Sequence, residues 1–260
     1  MISTLQSHFF RATIKHTRKR LRIAVPEVQI GCKTNEPKGD GIHMSFPLPK
    51  NFTVTAHTGC EGTQENSLAS IKKAFACGAD VTEIDLQYAS DSTPVLSHNT
   101  PNGGEPTLAE AFETLKNCAP MRMNIDVKST AHLETVALLA AEYGVSDRIF
   151  YTGVRKKDVA AVRAKTPSIP YYLNISLPPR ALQTQAYCLF LAAVIKRSGA
   201  VGINCHYGNI SKALIKTLHR HGYQVSVWTV NEEAQLRRIL SLSPDNITTR
   251  NPSLAKRIIG

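Results

Sequence analysis

Long apolar runs are missing from this sequence: no stretch of eighteen or more apolar residues occurs, which argues against a membrane-spanning helix. The six cysteines, Cys32, Cys60, Cys77, Cys118, Cys188 and Cys205, form no Cys-x-x-Cys pair and no cysteine/histidine knuckle, so a zinc ribbon is not expected. The N-terminus has charge but no apolar segment of the secretory type, so reduced thiols and a cytoplasmic location are expected. Acidic residues are scarce as well: 20 Asp/Glu face 31 Lys/Arg, for a net charge of +11. A basic surface suits anionic substrates, membrane faces or nucleic acid alike. No nucleic-acid-binding signature accompanies the charge, and nucleic acid is not expected as a partner.

The charge is unevenly spread. Residues 1–51 hold nine Lys/Arg against three Asp/Glu, and residues 1–23 contain no acid at all. Within that first stretch Ile2, Leu5, Phe9 and Phe10 recur at roughly helical spacing. Residues 26–51, rich in Pro, Gly and Lys, read as an irregular connector. Three readings of residues 1–23 fit this composition: an extension packed on the main domain, a helix in peripheral contact with anionic membrane, or a mitochondrial presequence. The expected organisation is a basic extension and connector over 1–51 and one domain over 52–260.

From Phe52 onward, strand-like runs near 52–57, 81–87, 122–128, 149–153, 170–176, 200–206, 224–230 and 245–249 alternate with helical patterns. The helical stretches are Asn66–Cys77, Leu108–Cys118, His132–Tyr143, Asp158–Lys165, Ala181–Arg197, Ser211–His221, Glu232–Leu242 and Ser253–Ile259. Eight such units in a row predict an α/β fold, a TIM-like (β/α)8 barrel. Residues two apart on a strand share a face. Thr53, Thr55 and His57 therefore share one face, Glu83 and Asp85 another, and Asn124, Asp126 and Lys128 a third. A parallel strand covered by helices should be apolar throughout. Here three successive strands put charge or imidazole toward the C-terminal end, where barrel enzymes place their chemistry.

Glu83, Asp85 and Asp126 are thus expected to converge at one end of the barrel. Three carboxylates together repel one another unless a cation joins them. An all-oxygen set without thiol suits a hard divalent cation, Mg²⁺ or Ca²⁺. Lys128 shares their face and could hold a phosphate oxygen. His57 ends the first strand and His98 follows the run Thr93–Ser97, so both can reach the same mouth. Two imidazoles flanking a phosphodiester can divide the proton transfers between attacking hydroxyl and leaving alcohol. Taken singly, each residue has a plain structural reading: a hydrogen-bonded histidine, salt-bridged carboxylates, a solvated lysine. Their joint order on consecutive strands carries the functional reading.

The run VTAHTGCEGTQENSLASIKKAFACGADVTEIDLQYASDSTPVLSHN resembles the N-terminal signature of glycerophosphodiester phosphodiesterases. The matching pieces are His57-Thr58-Gly59, Glu65-Asn66-Ser67, Gly78-Ala79-Asp80, Glu83-Ile84-Asp85 and His98-Asn99. Pro106-Thr107-Leu108-Ala109-Glu110, Asn124-Ile125-Asp126-Val127-Lys128, Trp228–Asn231 and Asp245–Pro252 are similar to later family motifs, in the same order. The resemblance implies a TIM-like phosphodiesterase barrel with His57 and His98 as acid/base pair and Glu83, Asp85 and Asp126 as metal ligands. It further implies Glu65 as a site-lining carboxylate, Lys128 as a phosphate contact, and Trp228 in the pocket wall. Substrates would be small glycerophosphodiesters that release alcohols such as choline or ethanolamine.

Four departures stand against that pattern. Thr58 replaces an arginine that would clamp phosphate, and threonine cannot mimic that grip. Asn99 replaces the aspartate after the second histidine, and Asp126 is one methylene shorter than the family's glutamate. The family's long insertion after that histidine is nearly absent. Gly59-Cys60-Glu61-Gly62-Thr63 is the candidate to replace it, its glycines offering backbone N–H groups to phosphate. Cys60 and Cys205 are expected near the mouth, without a role. The loss of the arginine leaves open a low-activity barrel that binds phosphodiesters or lipid headgroups. A membrane-associated lysophospholipid phosphodiesterase is the third reading.

Overall fold

A computed structural model describes residues 46–260. The expectations for residues 1–23 and for most of the connector lie outside the described residues. Eight parallel strands form the frame: β1 (Thr53–Ala56), β2 (Val81–Tyr88), β4 (Arg122–Val127), β5 (Ile149–Val154), β6 (Tyr171–Asn174), β7 (Gly202–His206), β8 (Gln224–Trp228) and β9 (Asn246–Thr249). Strand β1 pairs in parallel with both β2 and β9, so the sheet closes on itself as a TIM barrel. The run at Thr93–Ser97 is not a barrel strand. Its centre, β3 (Pro94–Leu96), pairs antiparallel with the end of β2, Leu86 opposite Leu96.

Helices α1 (Leu68–Ala76), α2 (Leu108–Lys116), α3 (Leu133–Glu142), α4 (Val159–Lys165), α5 (Gln185–Ser198), α6 (Lys212–Arg220), α7 (Glu233–Leu240) and α8 (Pro252–Ile259) follow the strands. Their starts are set by short polar caps. The hydroxyls of Ser67, Thr184 and Ser211 each accept a backbone N–H two or three residues into the helix. Thr107 and Glu110 form a reciprocal capping box at α2. The helix over 181–197 starts later than its pattern suggests, because Thr184 is the cap and Arg180–Leu182 form a separate turn.

The aliphatic core lies between barrel and helices, with Val54, Ile84, Ile125, Leu108, Phe112, Ile203 and Leu236 all buried. The lumen is different. Its lower end is plugged by Arg122 stacked over Phe150 and by Tyr172 bonded to Gln224. Above that plug the inward side chains are polar, and most of them hydrogen-bond to one another. Asn246 Oδ1 accepts from Thr53 and Thr55, and its Nδ2 donates to Ser226. Thr152 donates to Asn124, and Asn204 donates to Asn174. This hydrogen-bonded layer is the floor on which the charged strand ends stand. Among the described residues, no helix is long and apolar enough to cross a membrane.

Candidate active site

The barrel opens at the C-terminal ends of its strands into a cavity of about 640 Å³. All eight residues singled out from the sequence line it: His57, Glu65, Glu83, Asp85, His98, Asp126, Lys128 and Trp228. Register explains the convergence, since β2 and β4 run side by side with Glu83 opposite Asn124 and Asp85 opposite Asp126. Glu83, Asp85 and Asp126 each bring a carboxylate oxygen within 4.8 Å of the others. Burial, then the neighbouring Asp85 and Asp126 charges, hold the Glu83 carboxyl well above its ordinary range. An all-oxygen set of three crowded carboxylates fits a hard divalent cation, which would relieve the repulsion that Glu83 meets.

Each carboxylate is held from behind. Glu83 accepts the Thr58 backbone N–H at 2.8 Å. Asp85 is gripped twice by Asn66, whose Nδ2 donates to Asp85 Oδ2 and whose Oδ1 accepts the Asp85 backbone N–H, both at 2.9 Å. Asn66 keeps this pose with a φ of 53°, a left-handed geometry that asparagine tolerates. Asp126 accepts from Thr152 at 3.2 Å. Opposite it stands Gly153, where an added Cβ would lie 2.4 Å from Asp126 Oδ1.

Lys128 is held between two carboxylates. Its ammonium lies 2.8 Å from Asp85 and 2.5 Å from Asp126. Burial works against its charge, but the two carboxylates outweigh it and raise its pKa. Glu65 is likewise occupied, 2.5 Å from the Arg250 guanidinium. His57 is mostly buried, and its Nδ1–H donates to the Thr58 carbonyl at 2.8 Å, which leaves Nε2 with a lone pair. Burial lowers its pKa, so the ring is neutral at neutral pH. His98 is exposed, with Nδ1 3.2 Å from the Asn99 amide oxygen. Asn99 thus keeps an acceptor where the family has aspartate, without its charge.

Other expectations need correction. Gly59 does not offer its N–H to a ligand but donates it to Ser70 Oγ at 2.9 Å. The Cys60–Gly62 turn is tied to the chain around α8, since Glu61 donates to the Arg250 carbonyl and accepts from the Ser253 N–H. It covers no part of the cavity. Cys60 and Cys205 are fully buried, and burial pushes the Cys205 thiol up to about 12.

The structure also adds residues to the site. Asn124, Thr152, Asn174, Asn204 and Thr248 line its floor, while Arg155, Lys157 and Arg250 bring positive charge to its rim. The signal was available in the later strands. Tyr172 and Asn174, Asn204 and His206, Ser226 and Trp228, and Asn246 and Thr248 repeat the two-residue polar alternation seen in the first three. The wall continues at Trp228, whose ring meets His206 edge-on at 5.7 Å.

A family model described as the glycerophosphoryl diester phosphodiesterase family matches residues 48–113 and 104–254. A glycerophosphodiester phosphodiesterase of Caldanaerobacter subterraneus is 25% identical, over 76% of this chain and 94% of its own. A mouse lysophospholipase D is 22% identical, over 82% of both chains. Among solved structures, an Oleispira antarctica phosphodiesterase in complex with the product sn-glycerol-3-phosphate superposes with a TM-score of 0.67 at 22% identity, covering 82% of this chain and 97% of that one. A glycerophosphodiester phosphodiesterase from Agrobacterium tumefaciens gives 0.64 at 18% identity, covering 79% and 99%.

Proposed function

The chain belongs to the glycerophosphoryl diester phosphodiesterase family, and on that premise we propose that it hydrolyses glycerophosphodiesters to an alcohol and glycerol 3-phosphate. The observation that carries this reading is the meeting of three carboxylates with two histidines around one open polar cavity. Glu83, Asp85 and Asp126 would hold a divalent cation, Mg²⁺ or Ca²⁺, and Lys128 would steady Asp85 and Asp126 beside it. Such a cation supplies charge stabilisation for the non-bridging phosphate oxygens.

The remaining steps fall to the protein. His57, neutral and with its tautomer fixed by the Thr58 carbonyl, accepts at Nε2 the proton of the attacking hydroxyl. That hydroxyl is water or the diester's own neighbouring hydroxyl. A new P–O bond forms, the P–O bond to the alcohol breaks, and His98, as general acid, donates a proton to the leaving oxygen. The floor suits a polyol: Asn204 Oδ1 is buried without a partner among the described residues and can accept from a glycerol hydroxyl. Trp228 offers a half-exposed apolar wall for the substrate's carbon frame.

The open mouth and the short loop after His98 favour small soluble diesters, and also admit a lysophospholipid whose chain projects outward. We further propose that the catalytic barrel starts within residues 44–52, since the family match begins at 48. The test is a panel of glycerophosphodiesters and lysophospholipids offered to chelated protein with Mg²⁺ or Ca²⁺ added back, products followed by phosphorus NMR. Turnover that depends on the cation is expected, and a transient cyclic phosphate would mark the substrate hydroxyl as nucleophile. Full activity after exhaustive chelation removes the metal from the reading. No turnover of any diester under any condition leaves only the binding-barrel alternative.

A further inference from the structure

Position 58, the arginine position in the family pattern, is closed to that role here. Thr58 is 1% exposed. Its Oγ1 accepts the Asn66 backbone N–H at 2.5 Å, and its own N–H donates to Glu83. The residue has become part of the frame that aims Asn66 at Asp85. An arginine side chain built from this point would have to displace that frame.

A guanidinium nevertheless stands one strand away. Strands β1 and β9 run parallel with Ala56 opposite Thr249, so the next pair beyond the strand ends is His57 and Arg250. The His57 N–H donates to the Thr249 carbonyl and the Glu61 N–H to the Arg250 carbonyl, each at 2.8 Å. The two chain ends are therefore clipped together on both sides of Thr58. Alternation along β9 places Asn246, Thr248 and Arg250 on the lumenal face, and Thr248 and Arg250 line the cavity. The Arg250 backbone is fixed, its N–H donating to Asn231 Oδ1 at 2.9 Å.

The side chain itself is only lightly held. Its Nη2 lies 2.5 Å from Glu65 Oε1, and the two side chains are 44% and 49% exposed. Such an exposed pair contributes little, whereas a guanidinium facing a phosphate makes two parallel charge-assisted bonds. A phosphate entering the cavity can therefore take Arg250 from Glu65. Lys128 cannot serve in the same way, because it is already bound between Asp85 and Asp126.

Resting on the phosphodiesterase reading above, we propose that Arg250 is the phosphate-gripping arginine of this site, relocated from the end of β1 to the end of β9, with Glu65 holding it until phosphate arrives. Glu65 is then a holder of the arginine rather than a substrate contact.

The test uses the full chain at one fixed concentration of added divalent cation. Inorganic phosphate and sn-glycerol 3-phosphate are titrated by calorimetry into wild type, Arg250→Gln, Arg250→Lys and Glu65→Gln, and kcat and KM are measured on glycerophosphocholine. Loss of a charge-assisted pair should weaken both ligands about 10- to 100-fold in Arg250→Gln and lower kcat/KM by a similar factor. Arg250→Lys should recover only part, since an ammonium cannot make the paired contact. Glu65→Gln should bind phosphate more tightly. Circular dichroism and Tm confirm folding, and if the Gln variant unfolds, a several-fold loss in Arg250→Lys carries the same meaning. Wild-type phosphate affinity in a folded Arg250 variant overturns the assignment, while turnover by the wild type leaves the phosphodiesterase reading standing. If instead no diester is turned over but phosphate binding still falls in Arg250→Gln, the anion site holds and the hydrolytic reading fails.

Discussion

His57 and His98 reach the same cavity but are held very differently. His57 is packed at the end of β1 with Nδ1 committed to the Thr58 carbonyl and Glu83 only 3.8 Å away. His98 is exposed, and its Nδ1 meets the neighbouring Asn99 amide oxygen. Under the roles proposed for them, His57→Ala and His98→Ala should each lower kcat by about 10²–10⁴-fold, the usual range for a positioned proton-transfer group. Single-turnover assays beside calorimetric binding check this: binding should change far less than rate. Wild-type turnover in either variant would return that histidine to a structural role. Thr58 illustrates how a substitution at a site changes its neighbours' duties. One hydroxyl in place of a guanidinium leaves position 58 to order Asn66, while the positive charge at the rim comes from Arg250, Arg155 and Lys157.

At the scale of strands, the lumen imposes requirements that the helices do not. Gly202 opens β7 opposite Gln224 of β8, and an added Cβ there would lie 2.0 Å from the Gln224 carbonyl oxygen. That neighbour is backbone and cannot swing aside. Gly202→Ala is expected to destabilise the fold by about 1–3 kcal/mol or more, the range for forcing extra volume into a packed interior. Urea denaturation of the variant should show a lower midpoint, and an unchanged midpoint would mean that the β7–β8 pair separates at little cost. Strand β3 shows the opposite freedom. It belongs to no barrel position, yet its antiparallel pairing with β2 carries the chain to His98 and then, through Glu105 holding the Asn102 and Gly103 N–H groups, into α2. That short loop stands where the family has a long insertion, and it leaves the mouth open.

The whole molecule places all its proposed chemistry after residue 56. The family match starts at 48, and the cavity is lined by side chains from His57 to Arg250. A chain beginning at Met44 should therefore keep the wild-type kcat on a soluble diester. Measuring that rate together with sedimentation onto anionic vesicles separates two outcomes. Loss of vesicle binding alone assigns residues 1–43 to a membrane surface, whereas loss of turnover in a folded truncated protein extends the site into that segment. The basic balance of the sequence suits either an anionic substrate or an anionic surface, and only the first has a built receptor among the described residues.

The barrel, and which strand residues line the candidate cavity, were legible in the sequence because both rest on periodicity. Strand alternation alone puts Glu83, Asp85, Asp126 and His57 on inward faces at the strand ends, and the described strands fall within two residues of the predicted runs. Partners were not legible, because they depend on register and closure. Nothing local to Lys128 says that its ammonium will lie between two carboxylates, and nothing local to Glu65 says that it will meet a residue 185 positions later. Arg250 follows β9 in sequence but faces His57 only because the sheet closes and sets β9 against β1. The sequence alone determined which side chains point inward; closure of the barrel decided which of them touch. Inward direction follows from the two-residue repeat of a strand, whereas contact follows from a sheet returning to its first edge.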